Sequence, residues 1–86
     1  MLTYYCEIKP DDNHTLLVTF PELDGCVTFG ESLEEALTRA LDALVTVLES
    51  RIEHGEPIPK PRVCEGLYPV RVPEYLEVSV LHLLYD

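Results

Sequence analysis

Three histidines, three cysteines, three serines and sixteen acids are the side chains of this 86-residue chain with the means to do chemistry. Their spacing does not assemble a catalytic set. His14, His54 and His82 lie far apart and form no HExxH arrangement, and Cys6, Cys26 and Cys64 form no C-x-x-C pair. None of Ser32, Ser50 and Ser79 stands in a Gly-x-Ser-x-Gly elbow. The paired carboxylates Asp11/Asp12, Glu22/Asp24 and Glu34/Glu35 fall in a turn, a loop and a helix start, where each has a structural use. A two-metal nuclease needs acids projecting from strand centres, and only Glu7 sits mid-strand. Gly25 and Gly30 do not cluster ahead of a helix as a phosphate-cradling loop does. The chain is therefore expected to be no enzyme, with no catalytic residues, no metal and no cofactor.

Charge points to binding instead. Sixteen acids against six bases leave a formal net charge of −10. A phosphate backbone is gripped by clustered Lys and Arg, so this segment is not expected to bind nucleic acid directly. A negative surface attracts and steers a basic partner, and it also keeps a protein soluble; charge alone leaves both open. The odd cysteine count argues against a disulfide framework and fits a reducing cytoplasm. The N-terminus MLTYYCEIKPDD lacks the basic and apolar regions of a signal peptide, and no apolar run approaches the ~18 residues of a membrane span.

The elements that must position these charges are read from hydrophobic period. Residues 2–9 alternate, with Leu2, Tyr4, Cys6 and Ile8 on one face, and residues 15–20 repeat the pattern with Leu16, Val18 and Phe20. Pro10-Asp11-Asp12-Asn13 turns one into the other, making a hairpin. Pro21 to Gly25 breaks the run, and Cys26 to Phe29 is a short third strand. Ser32-Leu33-Glu34-Glu35 is a capping box, in which Glu35 reaches back to the Ser32 amide. A helix with Leu33, Ala36, Leu37, Ala40, Leu41, Leu44, Val47, Leu48 and Ile52 on its apolar positions follows, to a stop at Gly55. At ~1.5 Å per residue it is about 33 Å long. Its first half is expected to cover the sheet, and the Val45–Ile52 half to overhang it. EPIPKP (56–61) is a stiff connector, and YPVRV (68–72) an edge strand, because Pro69 lacks a donor. Pro73-Glu74 opens the last element. Its Leu76, Val80, Leu83 and Leu84 make a helical stripe, while Val78, Val80, His82 and Leu84 also alternate as a strand would. Helix is the favoured reading. The fold class is α+β: a three-stranded antiparallel meander, a long helix, an edge strand and a short C-terminal helix (β-β-β-α-β-α).

The stretch Phe20-Pro21-Glu22-Leu23-Asp24-Gly25-Cys26, then Thr28, Gly30 and Ser32-Leu33-Glu34-Glu35-Ala36-Leu37, resembles the HicB antitoxin family, and Gly55-Glu56-Pro57-Ile58-Pro59-Lys60-Pro61 matches that family's G-E-P-I-P-x-P stretch at the expected distance. Asp24 departs from it, since the family often has proline there. The resemblance covers residues 2–61 well and extends more weakly to Tyr85. It implies a degenerate, partial ribonuclease H-like domain over 1–73 without nuclease activity. It implies an antitoxin of a type II toxin-antitoxin system that neutralises a basic, RNA-cleaving HicA-type toxin by occlusion. Family members usually append a DNA-binding segment, and residues 74–86 look like a C-terminal helix or the start of such a segment. The alternative is a stand-alone dimeric binding or regulatory module with no toxin partner.

Two surfaces follow as expectations. The toxin-facing acids are Glu22, Asp24, Glu31, Glu34, Glu35, Asp42 and Glu49. A domain this small buries only about 60–65% of its unfolded surface, so it is also expected to self-associate as a dimer or tetramer. That interface is expected at Tyr68, Val70, Val72, Leu76, Val80, Leu83 and Leu84, in a region too apolar to stay exposed.

Overall fold

Alternation in the first twenty residues becomes a hairpin. A computed structural model describes residues 2–85. Strand β1 (Thr3–Pro10) pairs antiparallel with β2 (Leu16–Thr19) across a short 3₁₀ turn at Asp12–His14. Asn13 and His14 take left-handed backbone angles there, φ 68° and 61°. Thr15 holds the turn closed: its carbonyl accepts from the Asp11 amide at 2.8 Å and its hydroxyl donates to the Asp12 carbonyl at 3.1 Å. β3 (Val27–Gly30) adds to β2, and β4 (Tyr68–Arg71) adds to the other side of β1, so the sheet order is β3-β2-β1-β4. β4 is an edge strand, as Pro69 requires.

Helix α1 (Leu33–His54) starts on Ser32, whose hydroxyl accepts from the Glu35 amide at 3.1 Å. The reciprocal half of the capping box is displaced by one residue. Glu35 Oε1 accepts from the Glu31 amide at 3.0 Å rather than from Ser32, and it also faces Arg39 Nε at 3.5 Å one turn on. The helix ends in a left-handed Gly55, φ 67°, with the Glu56 amide on the Arg51 carbonyl (2.8 Å) and the Gly55 amide on Ile52 (3.3 Å). Those two bonds make the glycine-terminated cap that satisfies the last carbonyls.

The core lies between α1 and one face of the sheet. Leu2, Tyr4, Cys6, Val18 and Phe20 bury against Ala36, Ala40, Leu44 and Leu48, which share one helical face. These four all belong to the expected apolar stripe, of which Leu33 and Leu41 stay exposed. Alanine at 36 and 40 explains the choice: small side chains let the helix axis come close to β3. The second half of α1 does not overhang. Leu44 and Leu48 are fully buried, Val45, Val47 and Ile52 pack at the margin, and Arg51 donates to the Pro57 carbonyl at 3.0 Å.

The connector folds under that end of the helix. The Tyr4 hydroxyl donates to the Pro59 carbonyl at 2.7 Å, and Lys60 sits 5.1 Å from the centre of the Tyr85 ring. Helix α2 (Glu74–Tyr85) resolves the ambiguous last element as helix. The Pro73 carbonyl accepts from the Leu76 and Glu77 amides, both at 3.0 Å. Leu76 and Val80 enter the same core as the strands, and Glu77 Oε2 accepts from the Leu2 amide at 2.8 Å. The segment from residue 74 to Tyr85 is thus packed as part of the same unit; Asp86 lies outside the described residues.

Candidate protein interface

Acidic side chains and uncovered strand surface, rather than a cleft, are what this fold presents. Among the described residues, no group of three His, Cys, Asp or Glu could hold a metal ion. Cys6, Cys26 and Cys64 are free thiols, the first two buried. Burial pushes both of these up from an ordinary 9.0 to about 11, which keeps them as unreactive thiols near neutrality. Tyr4 is likewise pushed up to about 12, by burial first and then by Glu22.

The acids fall into two neighbouring groups. On α1, at about 100° per residue, Glu34, Glu35, Asp42, Glu49 and Glu53 fall within roughly 100° of arc, opposite the buried alanine and leucine stripe. Glu34, Asp42 and Glu49 are exposed, and Glu35 is half-buried beside Arg39. Glu31 is exposed just ahead of the helix. The second group is the β2–β3 loop. Its amides bond within the loop, Leu23 to the Phe20 carbonyl and Cys26 to the Leu23 carbonyl, both at 3.0 Å, while buried Leu23 anchors it. Asp24 is exposed and its carbonyl faces Arg51 Nη2 at 3.5 Å, so the loop is tied to the far end of α1. Glu22 is the exception among the expected acids. It is half-buried and faces Arg62 of the connector at 3.9 Å, an internal use that leaves less of it for a partner.

The expected self-association residues divide more sharply. Val70, Val72, Leu76 and Val80 are buried inside the chain's own core and have no surface to offer a second copy. Strand β4 and helix α2 consume them, because β4 lies against α1 and α2 closes that end of the sheet. Tyr68 and Leu83 are exposed and Leu84 is half-buried. Tyr75, Leu81 and Tyr85, which neither apolar pattern picks out, line the outer side of α2 together with Val78. Their signal is that α2 carries apolar residues on nearly every side, more than one buried stripe can use.

The other uncovered surface is the sheet face away from α1. Val27 and Phe29 are 50% and 48% exposed, opposite Thr19 and Leu17 of β2. No helix of the described residues is long and apolar enough to cross a membrane.

The chain matches the family model for a HicB-like antitoxin of bacterial toxin-antitoxin systems over residues 4–83. The chain belongs to the HicB-like antitoxin family. Among curated relatives, Antitoxin HicB 1 of Photorhabdus laumondii is 38% identical over 60 residues, which is 70% of this chain and 39% of that protein. An uncharacterised 14.9 kDa protein of Haemophilus phage HP1 is 30% identical over 91 residues, 98% of this chain and 65% of the phage protein. The chain thus spans only part of the length of these relatives. A UPF0150 protein of Thermoplasma acidophilum, 34% identical over 59 residues, is matched over 86% of its own length. The crystal structure of the N-terminal domain of Burkholderia pseudomallei antitoxin HicB has the same fold. It superposes with a TM-score of 0.69 at 23% identity, covering 84% of this chain and 99% of that domain. The HicB-like fold here is therefore α+β, with an antiparallel sheet and two helices.

Proposed function

We propose that this HicB-like chain is the toxin-binding domain of an antitoxin, and that it neutralises a small basic HicA-type RNA-cleaving protein by covering its RNA-binding face. The observation that carries the reading is the acidic surface of a chain with net charge −10, five of whose sixteen acids share one side of α1. Glu34, Glu35, Asp42 and Glu49 lie on that side and Glu31 just ahead of it, with the exposed Asp24 and the half-buried Glu22 in the β2–β3 loop. A basic RNA-binding protein presents the complementary charge, and pairing the two surfaces both speeds encounter and blocks RNA. The chain contributes no chemistry in this reading; its cytoplasmic role is stoichiometric occlusion. The β-β-β-α order supports a partial ribonuclease H-like ancestry, and residues 74–86 would lead into a DNA-binding segment in longer relatives. The test is a pull-down of the purified basic protein encoded in the neighbouring frame. Complex formation at low salt that weakens as salt rises is expected; absence of any complex at low salt overturns the proposal.

A second reading is a stand-alone module that self-associates. The exposed Tyr75, Val78, Leu81 and Tyr85 on one side of α2 favour it, because a continuous apolar helix side in water is unusual. Light scattering after size exclusion distinguishes a monomer from a dimer or tetramer, and a strict monomer at high concentration rejects self-association.

A further inference from the structure

The outer edge of β3 runs beside α1, and the space between them is open. One part of this groove, about 330 Å³, is lined by Cys26, Val27 and Thr28 of the strand side and by Arg39, Asp42 and Thr46 of the helix. A second part, about 280 Å³, is lined by Thr28, Phe29, Glu31, Glu35 and Arg39. Thr28 and Arg39 line both, so the two parts adjoin as an open channel beside the strand. β3 has β2 as its single neighbour in the sheet.

The direction of the β3 backbone groups can be read from one bond. The Phe20 amide donates to the Cys26 carbonyl at 3.2 Å, and continuing the β2–β3 register places Thr28 opposite Val18 and Gly30 opposite Leu16. In an antiparallel pair, bonded and non-bonded positions alternate. Cys26, Thr28 and Gly30 therefore direct their amides and carbonyls at β2. Val27 and Phe29 direct theirs outward, into the channel. Four residues at about 3.3 Å each give a ladder of roughly 13 Å.

We infer that this channel receives an extended segment of a basic protein partner, which adds to β3 as a fifth strand through the Val27 and Phe29 backbone groups. Strand addition of this kind supplies affinity through main-chain bonds and selectivity through alternate side chains. The occupant follows from charge. Glu31, Glu35 and Asp42 border the channel, against one base, Arg39, which already faces Glu35 at 3.5 Å. A second copy of a chain with net charge −10 meets repulsion there, and a segment with Lys or Arg at alternate positions meets attraction. The inference rests on the antitoxin reading and names where the partner's backbone docks.

The test uses the full chain and the purified basic protein encoded beside it. Val27→Pro removes one outward amide without touching the ladder to β2, since edge positions tolerate proline. Val27→Ala removes the side chain and keeps the amide. We expect Val27→Pro to bind about tenfold or more weakly than Val27→Ala. Equal binding by the two variants overturns the inference. Should Val27→Pro fail to fold, amide exchange on the unaltered chain decides. The Val27 and Phe29 amides are expected to exchange fast in the free chain and to slow in the saturated complex. Unchanged exchange in that complex overturns the inference while leaving the antitoxin reading standing. Protection that instead grows with concentration of the chain alone assigns the edge to a second copy and overturns it as well. Failure of the unaltered chain to bind at all overturns the antitoxin reading itself.

Discussion

Gly30 lies against the backbone of Ala36: a Cβ added to Gly30 would stand 2.5 Å from the Ala36 amide nitrogen and 2.6 Å from its Cα. This closeness lets the last residue of β3 and the first turn of α1 share one corner. The obstacle is helix backbone, which cannot swing aside as a side chain can. Gly30→Ala is expected to lower stability by about 1–3 kcal/mol or more through forced displacement of the helix start. A urea midpoint within error of the unaltered chain would show that the corner is more yielding than its geometry implies.

The leucines of α1 are predicted to differ in a way their shared hydrophobicity hides. Leu44 is fully buried, whereas Leu41 is 36% exposed. Leu44→Ala is expected to cost about 2–5 kcal/mol, and Leu41→Ala distinctly less. Equal losses for the two in chemical denaturation would mean that the helix is rotated from the face described above.

Stability is predicted to fall at alkaline pH, in two overlapping steps. Burial holds the Cys6 and Cys26 thiols at about 11 in the folded chain against 9.0 when exposed, and Tyr4 at about 12 against 10.0. All three are raised, so the unfolded chain gives up its protons first. Their contribution is complete below pH 9, and is lost as pH rises toward 11 for the thiols and toward 12 for the tyrosine. Urea midpoints between pH 7 and pH 11 should therefore decline from about pH 9. In a Cys6→Ala/Cys26→Ala variant, less stable at neutral pH, the decline between pH 9 and 11 should be shallower. An undiminished slope would assign the loss to other groups.

Charge reversal on α1 separates surface electrostatics from folding. Asp42 and Glu49 are exposed and make no ion pair among the described residues. Asp42→Lys/Glu49→Lys should leave the thermal midpoint nearly unchanged, as surface changes usually do. It should slow association with the basic partner and flatten the salt dependence. Unaltered association kinetics at low salt would remove α1 from the binding surface.

Local pattern carried much of this architecture. Alternation at Leu2, Tyr4, Cys6 and at Leu16, Val18, Phe20 specifies which side of each strand is buried, because successive side chains must point to opposite faces. Ser32 and Gly55 mark the ends of α1 because the unpaired helix-end groups need a hydroxyl at one end and a left-handed residue at the other. The family signature in residues 20–61 was likewise legible. Other features were not, and each depends on a neighbour distant in the chain. The apolar stripe of α1 was legible, but not that Ala36 and Ala40, close against Gly30 and the strands, would bury while Leu33 and Leu41 stay outside. Val70, Val72, Leu76 and Val80 look like an interface in sequence and are core in space, since β4 pairs with β1 and α2 docks through Glu77 onto the Leu2 amide. The free edge of β3 is set by the order β3-β2-β1-β4. Amino-acid sequence by itself determined the elements, their caps and the acidic character of the surface, all consequences of short-range periodicity and composition. Tertiary structure alone decided which apolar residues stay in water and which strand edge stays unpaired, because those depend on which surfaces meet when the chain closes on itself.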